Sequence, residues 1–124
     1  MCGIAGCYGV YQPDPFKIEE AGNTLNHRGP DGQGVYTYEA SNNNSITLIH
    51  RRLSIIDLDP RSNQPFRAGE MVLVMNGELY NYIELRRELQ ALGHRFKTKG
   101  DTEVLAKTLL QWGHNAHKRL EGMW

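Results

Sequence analysis

Cys2-Gly3-Ile4-Ala5-Gly6-Cys7-Tyr8-Gly9-Val10-Tyr11 is the stretch from which the fold is read. Small residues interleave with β-prone ones, the composition of a buried strand that other backbones approach closely. Pro13 and Pro15 end it. Residues 16–26 have moderate helical character and close at His27-Arg28-Gly29-Pro30-Asp31-Gly32, a strong turn signal. Residues 35–38 and 46–49 read as two strands joined by the hairpin loop Ser41-Asn42-Asn43-Asn44-Ser45. Residues 52–56 continue as strand or strand end, and 57–65 form a polar, proline-bearing loop. The apolar run 71–75 has strand length and is cut by Asn76-Gly77. Helical spacing runs over 80–92 through Ile83, Leu89 and Leu92, with Gly93 as the C′ residue. Residues 95–98 read as a short strand. Residues 102–112 are the clearest helix, with Val104, Leu105, Thr108, Leu109 and Trp112 on one face and Gly113 ending it. This order predicts an α+β domain built on largely antiparallel pairing. Met123-Trp124 reads as the start of a further core strand. The expectation is therefore a domain truncated at its C-terminus, with an exposed sheet edge.

The totals narrow the function classes. The chain of 124 residues fits one small domain or a piece of a larger one. With 40% hydrophobic and 23% charged residues it is an ordinary globular sequence rather than a disordered or fibrous one. Fourteen basic residues balance fourteen acidic ones, so bulk charge points to neither nucleic acid nor membrane. The run 71–75 is far too short to cross a bilayer, and the N-terminus lacks the basic and apolar regions of a signal peptide. Both cysteines, Cys2 and Cys7, fall within the first ten residues, which is no disulfide framework; a reducing cytoplasm is the expected compartment. Cys2, Cys7 and the five scattered histidines match no common zinc pattern, so no metal site is expected.

Position gives Cys2 its interest. Initiator methionine is normally removed before a small residue, which would leave a thiol and an α-amine on Cys2 itself. An α-amine has a reference pKa of about 7.7–8.0 and so accepts a proton near neutrality. It can serve as general base for its own side chain, directly or through a water. The competing reading is a small buried hydrophobe, and by itself a cysteine at position two favours that.

Four further segments change the weighing: His27-Arg28-Gly29-Pro30-Asp31, His50-Arg51-Arg52-Leu53-Ser54-Ile55-Ile56-Asp57, Asn76-Gly77-Glu78-Leu79-Tyr80-Asn81 and Gly100-Asp101-Thr102-Glu103. With Met1-Cys2-Gly3-Ile4, their order and spacing over the whole chain resemble the class II glutamine amidotransferase domain. Pro30 favours the branch found at the N-terminus of glutamine-hydrolysing asparagine synthetases. The resemblance implies an N-terminal nucleophile hydrolase fold, a four-layer αββα sandwich with antiparallel sheets. It implies that Cys2 attacks the side-chain amide of L-glutamine, that ammonia leaves, and that water clears the glutamyl thioester. In the family, ammonia then reaches a C-terminal synthetase domain that activates aspartate with ATP and Mg²⁺ and yields asparagine. That domain lies outside residues 1–124, and no cofactor is expected within them. Expected partners are L-glutamine and the synthetase domain, with a homodimer left open.

Residue roles follow from the resemblance and from side-chain chemistry together. Asn76 and Gly77 offer an amide N–H₂ and an unobstructed backbone N–H for an oxyanion. Residues alone favour a hairpin turn there, and the resemblance reverses that preference. Arg52 has a planar fork suited to the α-carboxylate of glutamine, against a solvated strand face as the bland reading. The backbone of Leu53, Ser54, Ile55 and Ile56 would line the same pocket. Glu78 and Asp101 would hold the α-ammonium, although Asp101 also fits a helix N-cap. His27 and Arg28 read as structural turn residues, with a role in shaping the ammonia exit as the lesser alternative. Cys7 and Tyr8, Tyr11, Tyr36 and Tyr38 read as packing residues, and Arg95, Lys97 and Lys99 as a solvated strand face. Two other functions stay open: a non-catalytic binding or assembly domain of the same fold, and a glutaminase domain serving an acceptor other than aspartate.

Overall fold

The N-terminal run forms strand β1 (Gly3–Gly9) in the computed structural model, which describes residues 1–10 and 13–124. Strands β2 (Gly32–Glu39) and β3 (Ser45–Arg52) form a hairpin, and β3 lies centrally between β1 and β2. Both pairings are antiparallel, with Gly3 opposite Arg51 and Gly34 opposite His50. Each strand of the hairpin is longer than its apolar segment. Helix α1 (Pro15–Thr24) starts where Asp14 accepts the Phe16 N–H at 2.8 Å and Pro15 occupies the first turn. It lies against one face of the sheet, held by Arg51, whose Nε donates to Gly22 O at 2.8 Å.

The second half builds smaller pieces. Strands β4 (Phe66–Ala68) and β5 (Met71–Leu73) form a tight hairpin around Gly69, whose φ of 61° suits a two-residue turn. Strand β6 (Glu78–Leu79) pairs with β7 (Gly122–Met123). Helix α2 (Tyr82–Ala91) ends as expected at Gly93, with φ 93° and a His94 N–H donating back to Leu89 O at 2.9 Å. Helix α3 (Asp101–Trp112) packs on α2, and Leu79, Leu85, Leu89 and Val104 form the buried core between them. No helix among the described residues is long and apolar enough to cross a membrane.

Several expectations change. Residues 95–98 are not a strand: the Lys97 and Thr98 N–H groups donate to the buried Glu103 carboxylate at 3.0 and 2.7 Å, which takes the place of a ladder partner. Arg95, Lys97 and Lys99 are exposed all the same. Residues 53–56 leave the sheet after Arg52 and form a loop. Asn76-Gly77 is no hairpin turn, because β6 pairs with β7 rather than with β5. Glycine is required at position 77 by proximity: a Cβ there would lie 2.3 Å from Met123 O. Met123 and Trp124 sit in or beside β7 with exposed side chains rather than in a core. Cys7, Tyr8 and Tyr38 are exposed, not packed, because nothing among the described residues covers that end of the sheet; Tyr36 is half-buried, and Tyr11 lies outside the described residues.

The turn after α1 presses edge-on into the sheet. A Cβ on Gly29 would meet the Arg51 carbonyl carbon and oxygen at 2.4 Å and the Arg52 nitrogen at 2.6 Å, all backbone atoms that cannot swing aside. Gly29→Ala should therefore lower the unfolding free energy by about 3 kcal/mol, read as a lower urea midpoint at unchanged slope. An unchanged midpoint would show that this crossing is not tight.

Candidate functional site

Cys2 stands just before β1, and the β1–β3 register carries it to the end of β3. Its Sγ accepts a hydrogen bond from the Leu53 N–H at 3.4 Å and lies 3.7 Å from Leu53 O. Arg28 fixes the Cys2 backbone, with Nε donating to Cys2 O at 3.0 Å. Asp31 steadies the opposite wall by accepting the Ser54 N–H at 2.7 Å. The His-Arg-Gly-Pro-Asp turn thus braces both sides of the thiol. His27 only closes the turn, with its Nδ1 2.9 Å from Thr24 O.

Beside Cys2 opens a small cleft. Arg52, Leu53, Ile55 and Ile56 line it from the end of β3 and the following loop, and Gly77 and Glu78 line it from the start of β6. Asp101 enters from the first turn of α3. Asn76 lines an adjoining apolar recess that also reaches Cys2, and its Oδ1 is buried with no hydrogen-bond partner among the described residues. Ser54 does not line the cleft; its N–H is committed to Asp31.

Arg52 is buried and fully engaged at its two terminal nitrogens. They donate to Asp59 O at 3.1 Å, Asn63 Oδ1 at 2.9 Å, Ile56 O at 3.2 Å and Asp57 O. Its guanidinium therefore organises the loop 56–63 around itself. Asp57 closes that loop from the other side. It has a φ of 50°, and its carboxylate accepts the Lys99 N–H at 2.5 Å. That bond, aided by nearby Arg61, holds the Asp57 carboxyl down at about 2.

Two carboxylates face the cleft with no side-chain ion pair among the described residues. Asp101 is the first residue of α3 rather than its cap, and the N-cap, Gly100, makes no side-chain bond. Its Oδ2 accepts the Leu79 N–H at 3.0 Å, which ties α3 to β6. Burial, and then the negative charge of Asp101, push the Glu78 carboxyl above its ordinary range, while the N-terminal ammonium pulls it back. A bound cation would relieve this repulsion.

Gln64, Met75 and Thr102 also line the cleft, and with the buried His50 they form a chain of polar groups that the sequence alone does not single out. His50 is fully buried on β3, with Nε2 3.3 Å from Met75 O. Since a carbonyl only accepts, the proton sits on Nε2. Burial lowers the His50 pKa to about 4 against the pull of that carbonyl, and the charge of Arg52 lowers it further. Gln64 accepts the Met75 N–H at 2.6 Å and donates to Thr102 Oγ1 at 3.2 Å. Because His50 binds its proton more weakly when folded than the ordinary 6.5, the unfolded chain is protonated first as pH falls. The contribution of His50 to stability is whole above about 6.5 and is lost on the way down to about 4. Within that window the ratio of folded to unfolded protein should fall roughly tenfold per pH unit, as read by urea titrations, and His50→Gln should flatten the slope. Equal slopes in the two proteins would refute this.

A family model described as a glutamine amidotransferase domain matches residues 1–124. The chain is similar to asparagine synthetase [glutamine-hydrolyzing] 1 of Bacillus subtilis (strain 168), at 37% identity over 134 residues, covering all of this chain and 20% of the relative. It is likewise similar to the asparagine synthetase [glutamine-hydrolyzing] of Brassica oleracea, at 36% identity, covering all of this chain and 21% of the relative. A putative asparagine synthetase [glutamine-hydrolyzing] 2 of Methanocaldococcus jannaschii matches at 35%, with 27% of its length covered. The chain spans about a fifth to a quarter of the length of these relatives. On the match of the family model over the whole chain, the chain belongs to the glutamine amidotransferase domain family.

Proposed function

We propose that this domain hydrolyses L-glutamine to L-glutamate and ammonia through a Cys2 thioester, within an N-terminal nucleophile hydrolase sandwich. The observation that carries the proposal is the convergence, on one cleft and the recess beside it, of a thiol, a guanidinium, two carboxylates and the Asn76-Gly77 segment, from four separated parts of the chain. Free glutamine has a complementary set of groups: a carboxylate, an ammonium and an amide. In this reading Glu78 and Asp101 receive the α-ammonium, whose charge offsets the repulsion between them. Arg52 receives the α-carboxylate, exchanging some of its loop carbonyls for an anionic oxygen. The backbone of residues 53–56 closes the pocket.

The chemistry then needs little else. The thiolate of Cys2 attacks the amide carbon, and the developing oxyanion takes hydrogen bonds from the Asn76 side chain and the Gly77 N–H. The α-amine of Cys2 takes the thiol proton and returns it to the departing nitrogen, so that the C–N bond breaks and ammonia leaves. Water adds to the glutamyl thioester, releasing glutamate and the thiol. The amine is available only once Met1 is gone, since Met1 turns it into an amide. Ammonia would feed an ATP- and Mg²⁺-dependent amidation of aspartate in a further domain, and no step of the glutaminase half uses either. A free nucleophilic thiol suits the reducing cytoplasm.

The test is ammonia release from glutamine by protein whose intact mass shows Met1 removed. Turnover should fall at least about a thousandfold in Cys2→Ala. Wild-type turnover no higher than that of the alanine variant would overturn the proposal. Arg52→Lys should raise KM by roughly tenfold to a hundredfold with a smaller change in kcat, because it removes the planar fork from ground-state binding.

A further inference from the structure

We propose that Gln64 and His50 are positioning residues that clamp the Met75 peptide from both sides and thereby set the Asn76-Gly77 segment against Cys2. The inference rests on the glutaminase reading, and assigns a positioning role to His50, which does not line the cleft, and to Gln64, which does.

The geometry is that of a peptide held by side chains instead of a neighbouring strand. Strand β5 stops at Leu73 and β6 starts at Glu78, so Met75 falls between two short ladders. Its N–H nevertheless donates to Gln64 Oε1 at 2.6 Å, and its carbonyl accepts from His50 Nε2 at 3.3 Å. Both bonds are buried. They come from different elements: His50 from the central strand β3, Gln64 from the loop before β4. Gln64 is itself fixed, because its Nε2 donates to Thr102 Oγ1 at 3.2 Å, one residue beyond Asp101 on α3. The clamp thus ties the segment that would bear the oxyanion donors to the helix that would bear an ammonium ligand.

Chemistry explains why these side chains suit the task. A glutamine amide accepts and donates at once, so one residue can link a backbone N–H to a hydroxyl. His50 stays neutral with its proton on Nε2, and its other ring nitrogen has no partner among the described residues. That leaves a buried lone pair unsatisfied, a cost that a merely space-filling residue would not carry. Oxyanion donors work only within about 2.7–3.1 Å of the developing charge, so small drift of the Met75 peptide should appear in the rate before it appears in binding.

The test compares kcat and KM for ammonia release by the whole protein, together with the rate at which iodoacetamide labels Cys2. Gln64→Met removes both hydrogen bonds at nearly constant volume. It should lower kcat about tenfold to a hundredfold, with KM within about threefold and Cys2 labelling unchanged. His50→Leu should do the same, whereas His50→Gln keeps an N–H donor and should restore kcat to within about threefold of wild type. If Gln64→Met fails to fold, the two His50 variants decide the matter alone. Active variants with wild-type kcat would overturn the inference, as would a parallel loss of kcat, substrate affinity and labelling, which marks a purely structural role. A wild type that releases no ammonia would instead overturn the glutaminase reading, a failure distinguishable from variants that match an active wild type.

Discussion

The close crossing of the His27–Asp31 turn over the end of β3 is the constraint on which the site depends. At Gly29 two backbones come nearer than a Cβ would allow, so the turn can reach past the sheet to the residues on either side of it. From there Arg28 holds the carbonyl of Cys2 and Asp31 holds the amide of Ser54. The thiol and the loop that faces it are therefore set by one rigid turn rather than by two independent loops. A terminal segment without such ties would fray.

Charge is arranged in the same economical way. Arg52 sits buried among carbonyls, which suit a guanidinium but cannot neutralise it. Across the cleft, Glu78 and Asp101 repel each other at partly desolvated positions. One pocket is thus lined by a guanidinium and two carboxylates, none of them in an ion pair among the described residues, with Asp101 also holding β6 to α3. In the proposed reaction, a zwitterionic substrate would offer each of these groups an opposite charge.

Much of this was legible in the residues, for physical reasons that can be named. The helices and the β2–β3 hairpin carry strong local signals, and the Gly93 stop depends only on a left-handed residue that the chain supplies. The short strands β4 and β6 were missed, because pieces of three and two residues carry no periodicity. Residues 95–98 look β-prone, yet their N–H groups found the Glu103 carboxylate, a tertiary choice that no local pattern reveals. Of the candidate site residues, Cys2, Arg52, Leu53, Ile55, Ile56, Gly77, Glu78 and Asp101 meet in one cleft, with Asn76 in the recess beside it and Ser54 turned to Asp31. Those were reachable through motif and chemistry. Gln64 was not: a glutamine in a polar, proline-bearing loop resembles any solvated residue until the fold buries it.

Gln64 also bears on how the Asn76-Gly77 segment is held. Asn76 and Gly77 look like a turn in sequence, and in the fold they are not one. Their placement is borrowed from three elements at once: the central strand through His50, the first turn of α3 through Thr102 and Gln64, and β7 through its approach to Gly77. A segment without its own ladder is easy to displace by a few tenths of an ångström. It is also easy to tune, because each support is one side chain. In the proposed reaction, oxyanion donors would demand tight placement, which a short segment clamped from outside can supply.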